Sequence, residues 1–279
     1  AMDGLLFRRG ADGLEGNLAL SPLDLTFETD FAEGEFALDE PEVSWQLADA
    51  FSLTITGSDF SAPFELPADG ASDPRPAELI ADGLSASLNT GGEAVAVIFD
   101  LADGAFDLED LPVNLSFDRV SGDGAFTNDG PVIDYTLTDA LVEDGLNSSE
   151  DSLYQPLLVS GDGQLTASGV TMDGRLRLSG RSTNIGTVNV THSFSDAKGM
   201  ARLSGGELVF TQGGLQLHDL TERLRGIAVN ASGVLRPSAD VLWSGGAMVS
   251  TGDVEIEKLS FSTFRLGEFK GLSGVLSFS

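Results

Sequence analysis

Few residues in this 279-residue chain could act on a substrate. It has two histidines, His192 and His218, and no cysteine. Thiolate catalysis, disulfides and cysteine-ligated metals are therefore excluded, and the redox compartment stays open. His192 lies in Val190-Thr-His-Ser-Phe194, where alternation predicts a polar-facing strand position. His218 lies in a short stretch of helical spacing, and both read as surface side chains. No His-Glu-x-x-His, nucleophile-elbow or P-loop pattern occurs. Gly122-Asp-Gly124 and Gly161-Asp-Gly163 read as hairpin turns, not phosphate cradles. Two acidic groups stand out, Asp100/Asp103/Asp107 and Asp118/Asp123/Asp129. Neither follows the EF-hand loop or the nine-residue repeat of calcium-binding β-rolls. No carboxylate pair is distinguishable as acid and base. The expectation is a protein that is not an enzyme, with no metal and no cofactor.

The charge balance removes further classes. There are 44 acidic against 15 basic residues, a formal charge of −29. Nucleic acid is excluded as a partner, because phosphate binding needs clustered cations. An anionic surface is repelled in the same way, so any lipid must be held by its acyl chains with the headgroup outside. The same charge keeps a sheet with open edges from self-association. Hydrophobic content of 41% is enough for a sizeable core, and 21% charge does not point to disorder. No run of about 18 apolar residues offers a transmembrane helix. Ala1-Met2-Asp3-Gly4 reads as a scar before an internal start.

What remains is a large set of apolar side chains at period two, the mark of a strand with one apolar face. Leu23/Leu25/Phe27, Phe36/Leu38, Val43/Trp45/Leu47 and Phe51/Leu53/Ile55 fall in a nearly uninterrupted strand region, with Ala32-Glu-Gly34 and Asp39-Glu-Pro41 as short connections. Such connections predict antiparallel pairing, since a parallel crossover needs more chain. Four prolines between Ser58 and Asp82 predict a peripheral excursion, with a helical turn at 76–83. Alternation resumes at Val95/Val97/Phe99/Leu101, Phe106/Leu108 and Val113/Leu115/Phe117, with turn signals at 91–92, 102–104, 121–124 and 128–130. Ile133/Tyr135/Leu137 leads on to 139–146 and an exposed loop over 147–152. Leu157/Val159, Leu165/Ala167, Leu176/Leu178 and Val188/Val190 follow. After them come Leu208/Phe210, Ile227/Val229/Ala231, Val241/Trp243, Val254/Ile256 and Phe261. Between Gly214 and Gly226, Leu217, Leu220 and Leu224 predict about two helical turns. The count is about twenty strands, roughly 90–100 Å if stacked in one ribbon. Such a ribbon must bury its apolar face as a sandwich, a barrel, or a half-pipe filled by something else. The pattern by itself leaves these open.

One region carries a resemblance. Leu203-Ser-Gly-Gly-Glu-Leu-Val-Phe210, then Asp219-Leu-Thr-Glu-Arg-Leu-Arg-Gly226, then Gly271-Leu-Ser-Gly-Val-Leu-Ser-Phe278 resembles the C-terminal region of YdbH-type proteins. These belong to the AsmA-like family that includes TamB and YhdP. The match covers residues 201–279; upstream only the style of strand and turn is shared. The resemblance implies one elongated all-β segment over 1–279, an antiparallel ribbon curled into an open apolar groove with short helical inserts. It implies a fragment of a longer periplasmic protein, anchored in the inner membrane outside this chain. Its work is intermembrane phospholipid transport, with acyl chains as the ligand. Flanking regions would contact the inner and outer membranes, with an outer-membrane lipoprotein or other envelope protein as partner. On this reading Phe27, Phe36, Trp45, Leu53, Val97, Phe99, Leu115, Phe117, Leu176, Leu178, Val188 and Val190 line the groove. Leu208, Phe210, Ile227, Val229, Trp243, Ile256 and Phe261 continue it. Burial of each methylene gives ~0.8 kcal/mol, so a sixteen-carbon chain gains on the order of 10 kcal/mol. The alternative is a surface or extracellular module, adhesin-like, that binds protein or glycan.

Overall fold

The computed structural model describes residues 4–10, 13–19, 23–28, 33–66, 75–92, 94–108, 113–145, 152–181, 183–244 and 247–279. Side chains are described over the same ranges except 4–13, 18–36, 64–66, 75, 108 and 247. Phe27 and Phe36 thus have strand positions, and their side chains lie outside the described residues.

Seventeen strands form one antiparallel sheet: β1 (Gly4–Gly10), β2 (Gly13–Ala19), β3 (Leu23–Glu28), β4 (Glu33–Leu47), β5 (Phe51–Leu66), β6 (Arg75–Asn89), β7 (Val95–Leu108), β8 (Val113–Thr127) and β9 (Gly130–Asp144), continued by β10 (Leu157–Thr166), β11 (Gly169–Leu178), β12 (Asn184–Ser193), β13 (Lys198–Gly205), β14 (Leu208–Phe210), β15 (Val229–Ser244), β16 (Ala247–Thr263) and β17 (Gly267–Phe278). Strands pair in chain order. Two lanes are shared by two short strands each: β2 and β3 both lie along β4, and β13 and β14 both lie along β15. Fifteen lanes at ~4.8 Å span roughly 67 Å, shorter than the twenty-strand expectation. The sheet is not closed. β1 pairs with β2 and β17 with β16, and no described pairing joins the two margins.

The strand count fell because several sequence breaks lie inside strands. Residues 39–41, 102–104, 121–124 and 161–163, expected as turns, are interior to β4, β7, β8 and β10. The turn at Asn128-Asp129 is real. The 58–82 excursion is also strand where it is described: β5 runs through Pro63 to Leu66, and β6 takes up again at Arg75, through Pro76. No helical turn forms at 76–83. Prolines inside the sheet sit where a missing donor costs little. Pro41 lies in β4 between the end of the β3 pairing at Leu38 and the start of the β2 pairing at Glu42. Pro237 lies in β15 between the β14 pairing at Leu235 and the β13 pairing at Ser238. Each faces the gap between two short strands.

A row of acidic residues bends the sheet. Glu40, Asp59, Asp103 and Asp139 have φ of 45°, 50°, 48° and 46°. Asp82 and Asp118 fall in the same interruptions of register on β6 and β8. Aspartate tolerates this left-handed geometry better than most side chains. Each bulge shifts the alternation by one residue. In β7 the apolar positions are Val97, Phe99 and Leu101 before Asp103, then Gly104 and Phe106 after it. In β9 they are Ile133, Tyr135 and Leu137, then Ala140 and Val142. Leu101, Phe117, Ala140, Val159 and Leu176 consequently pack in one cluster, so one face stays apolar on both sides of the bend. Asp139 is fixed by Ser160, which accepts from its backbone N–H at 3.0 Å and donates to its Oδ1 at 2.6 Å, and by Arg177. The Ser160 bond, with Arg177, holds the Asp139 carboxyl below the ordinary carboxylate range.

Candidate functional site

Register defines the apolar face. Trp45, Leu53, Leu88, Val97, Gly124, Ile133, Leu165, Val170, His192, Gly199, Trp243 and Met248 are successive cross-strand partners in one row. The adjacent row holds Val43, Ile55, Ala86, Phe99, Gly122, Tyr135, Gly163, Met172, Val190, Ala201, Val241 and Ser250. Neither row contains Asp, Glu, Lys or Arg. Twelve lanes make each row roughly 53 Å long. Most of these side chains are half-buried, and among the described residues no second layer of strands covers them. The accessible surface is 16665 Å² for 29.1 kDa, against about 11,400 Å² for a compact monomer of that mass.

The aromatics on this face lie down across glycines instead of standing up. Trp45 is opposite Gly16, Phe99 opposite Gly122, Phe117 opposite Gly104, Tyr135 opposite Gly163, Trp243 opposite Gly199 and Phe278 opposite Gly252. A Cβ on Gly104 would come within 2.2 Å of the Phe117 ring, and one on Gly199 within 2.2 Å of the Trp243 ring. This is aromatic cover of strand glycines. Two rings reach further. Tyr135 crosses Gly163 and donates its hydroxyl to the Thr171 carbonyl at 3.0 Å; burial raises its pKa. Trp243 crosses Gly199 and donates to His192 Nδ1 at 3.1 Å, the two rings stacked 6.1 Å apart. His192 therefore faces the apolar side, not the polar one as alternation suggested. Its pKa is lowered by burial, and the imidazole is the neutral form with Nδ1 as acceptor.

One end of the face is closed. Residues 211–228 leave the sheet, and instead of two helical turns they form separate 3-10 turns at Leu217–Asp219 and Glu222–Leu224. Leu215 and Leu217 pack with Leu178, Leu208, Phe210, Ala231, Leu235 and Leu259 into a dry core in which Phe210 is 1% exposed. The Gln216 amide stands in for a strand: its Oε1 accepts from Ala231 N–H at 2.8 Å and its Nε2 donates to Ala231 O at 3.3 Å. Gln155 N–H donates to Leu220 O, and Arg181 pairs with Asp219 at 3.1 Å.

Of the groove residues expected from sequence, Trp45, Leu53, Val97, Phe99, Val190 and Trp243 lie in the two open rows. Val188 and Leu176 extend the same face, while Leu115 and Phe117 lie on it beyond the bend. Leu178, Leu208 and Phe210 are enclosed under the insert, with Ile256 and Phe261 packed at its edge. Ile227 and Val229 do not join. Asn230 is another positive-φ bulge, so Ala228 and Ala231 are buried instead, and Ile227 is left 57% exposed. Tyr135, Ile133, Leu165 and Met172 were missing from the expected set, though the alternation around Tyr135 already placed it. The polar face carries Asp100–Arg119, Arg202–Asp240 and Arg236 with Glu207, Glu255 and Glu257. The acidic groups around Asp103 and Asp118 are spread along strands, and no metal-holding cluster of three occurs among the described residues. Among the described residues, no helix is long and apolar enough to cross a membrane.

Comparison with family models, with curated proteins and with solved structures returns no match.

Proposed function

We propose that the apolar face is a trough for phospholipid acyl chains and that the protein conducts them without catalysis, as a segment of an AsmA-like, YdbH-type transporter of the periplasm. The observation that carries this reading is the pair of uncharged rows, about 53 Å long, left without a covering layer. A contiguous apolar surface of this size marks a place where something binds. The flat rings over glycines give the trough a level floor. An acyl chain laid across the strands meets similar surroundings at each lane, which suits movement better than tight capture. The acidic polar face keeps anionic headgroups off the wrong side of the sheet.

The test is native mass spectrometry with lipid extraction on protein purified from a bacterial host. Co-purified phospholipid is expected, and Phe99→Asp with Val97→Asp should remove it while the thermal melt remains cooperative. Lipid-free, monodisperse protein would overturn the trough and favour the surface-module reading.

A further inference from the structure

The hairpin joining β16 and β17 ends in Phe264-Arg265-Leu266, where Phe264 is 95% and Leu266 78% exposed. Two large apolar side chains held in water at a turn tip contribute nothing to the fold. The same end of the sheet holds Ile227, because Val229 pairs with Ser262 and Ser262 with Glu268. The tip itself carries Arg265, with Lys270 and Glu268 on the strand that follows it; Glu268 is already engaged by Lys270 at 2.9 Å. The rest of the molecule is the opposite. Residues 1–150 contain 32 acidic and 4 basic side chains, and residues 151–279 contain 12 and 11. Since lanes follow chain order, the difference in sequence is a difference in space: β1 to β9 are acidic and β10 to β17 nearly neutral.

We propose that this rim is a docking surface for an anionic phospholipid bilayer. Phe264 and Leu266 enter the headgroup boundary, and Arg265 stays at the level of the phosphates. The acidic lanes are repelled by the same surface, so the sheet stands away from it on its neutral end. Charge complementarity and the paired apolar tips favour a bilayer over a protein partner, which would need a larger and flatter contact. This docking rests on the rim alone and is independent of what the apolar face carries.

Vesicle flotation tests it, with vesicles of phosphatidylcholine plus phosphatidylglycerol beside vesicles of phosphatidylcholine alone. The whole chain should float with the anionic vesicles at low salt and lose most of that binding at high salt. Phe264→Ser with Leu266→Ser should reduce the bound fraction by about tenfold, and Arg265→Glu by a similar factor. Phe264→Trp should give a blue-shifted emission on adding anionic vesicles, which an attachment elsewhere would not produce. These side chains are solvent-exposed, so the melting temperature should match that of the parent. Absence of flotation, or flotation indifferent to the tip variants, would overturn the proposal. Lipid co-purified in the trough should be unchanged by the tip variants, so the two readings fail separately.

Discussion

The two ends of one apolar face behave differently. At the β10 to β15 end, Leu178, Leu208 and Phe210 are enclosed by Leu215 and Leu217 and form an ordinary dry core. Across β4 to β9, Trp45, Leu53, Phe99 and Tyr135 continue the same face half-buried, with no described segment over them. Both regions come from the same strand alternation in the same sheet. The difference is eighteen residues of irregular chain, 211–228, which among the described residues have no counterpart over the other end. An apolar strand face is thus a requirement for cover, and the cover is set elsewhere in the chain.

That contrast can be broken at its closed end first. Phe210→Ala should cost about 3–5 kcal/mol in urea denaturation, as for other enclosed aromatic side chains, while Phe99→Ala should cost less, about 2 kcal/mol, because part of its surface is already wet. Equal losses would mean that the open reach is covered in solution. The floor is next. Gly104→Ala drives a Cβ into the Phe117 ring and the Ile80 carbonyl, and should destabilise by about 1–3 kcal/mol. Gly83→Ala, one lane away with nothing within 4 Å, should be neutral or slightly stabilising. The strap over the closed end depends on Gln216: Gln216→Ala leaves the Ala231 N–H without its partner and should cost about 1–2 kcal/mol. Hydrogen exchange at Ala231 should accelerate in step.

The smallest effect is a pH dependence in the open reach. Burial lowers the His192 pKa in the folded state, so between the unfolded value and the lower folded one the unfolded chain binds more protons. Stability is then full above the unfolded histidine range and falls as pH drops through it. Protonation also puts a second donor on Nδ1, against the Trp243 N–H. Denaturation midpoints between pH 7.5 and pH 5.5 should fall more for the parent than for His192→Gln. Identical slopes would place the imidazole in water.

Much of the fold was legible in the residues. Period-two alternation with short connections specified an antiparallel sheet with one apolar face, and the face assignments of Trp45, Leu53, Val97 and Phe99 followed directly. The errors have a common physical origin. A left-handed residue inside a strand changes the phase of alternation just as a turn does, so Asp39-Glu-Pro41 and Ala102-Asp-Gly104 looked like connections. Asn230 misplaced Val229 in the same way. Glycines looked like turns where they make room for a ring in the next strand, a relation between residues tens of positions apart.

The sequence by itself determined an all-β chain, the composition of each face, the charge and the poverty of catalytic groups, because these depend only on residue type and on neighbours two positions away. Only the tertiary structure decided which breaks are bulges, that rings pair with glycines, that His192 faces the apolar side, and that one end is capped while the rest is open. Those outcomes depend on cross-strand register and on a segment folding back over strands that precede and follow it, and no local pattern encodes either distance.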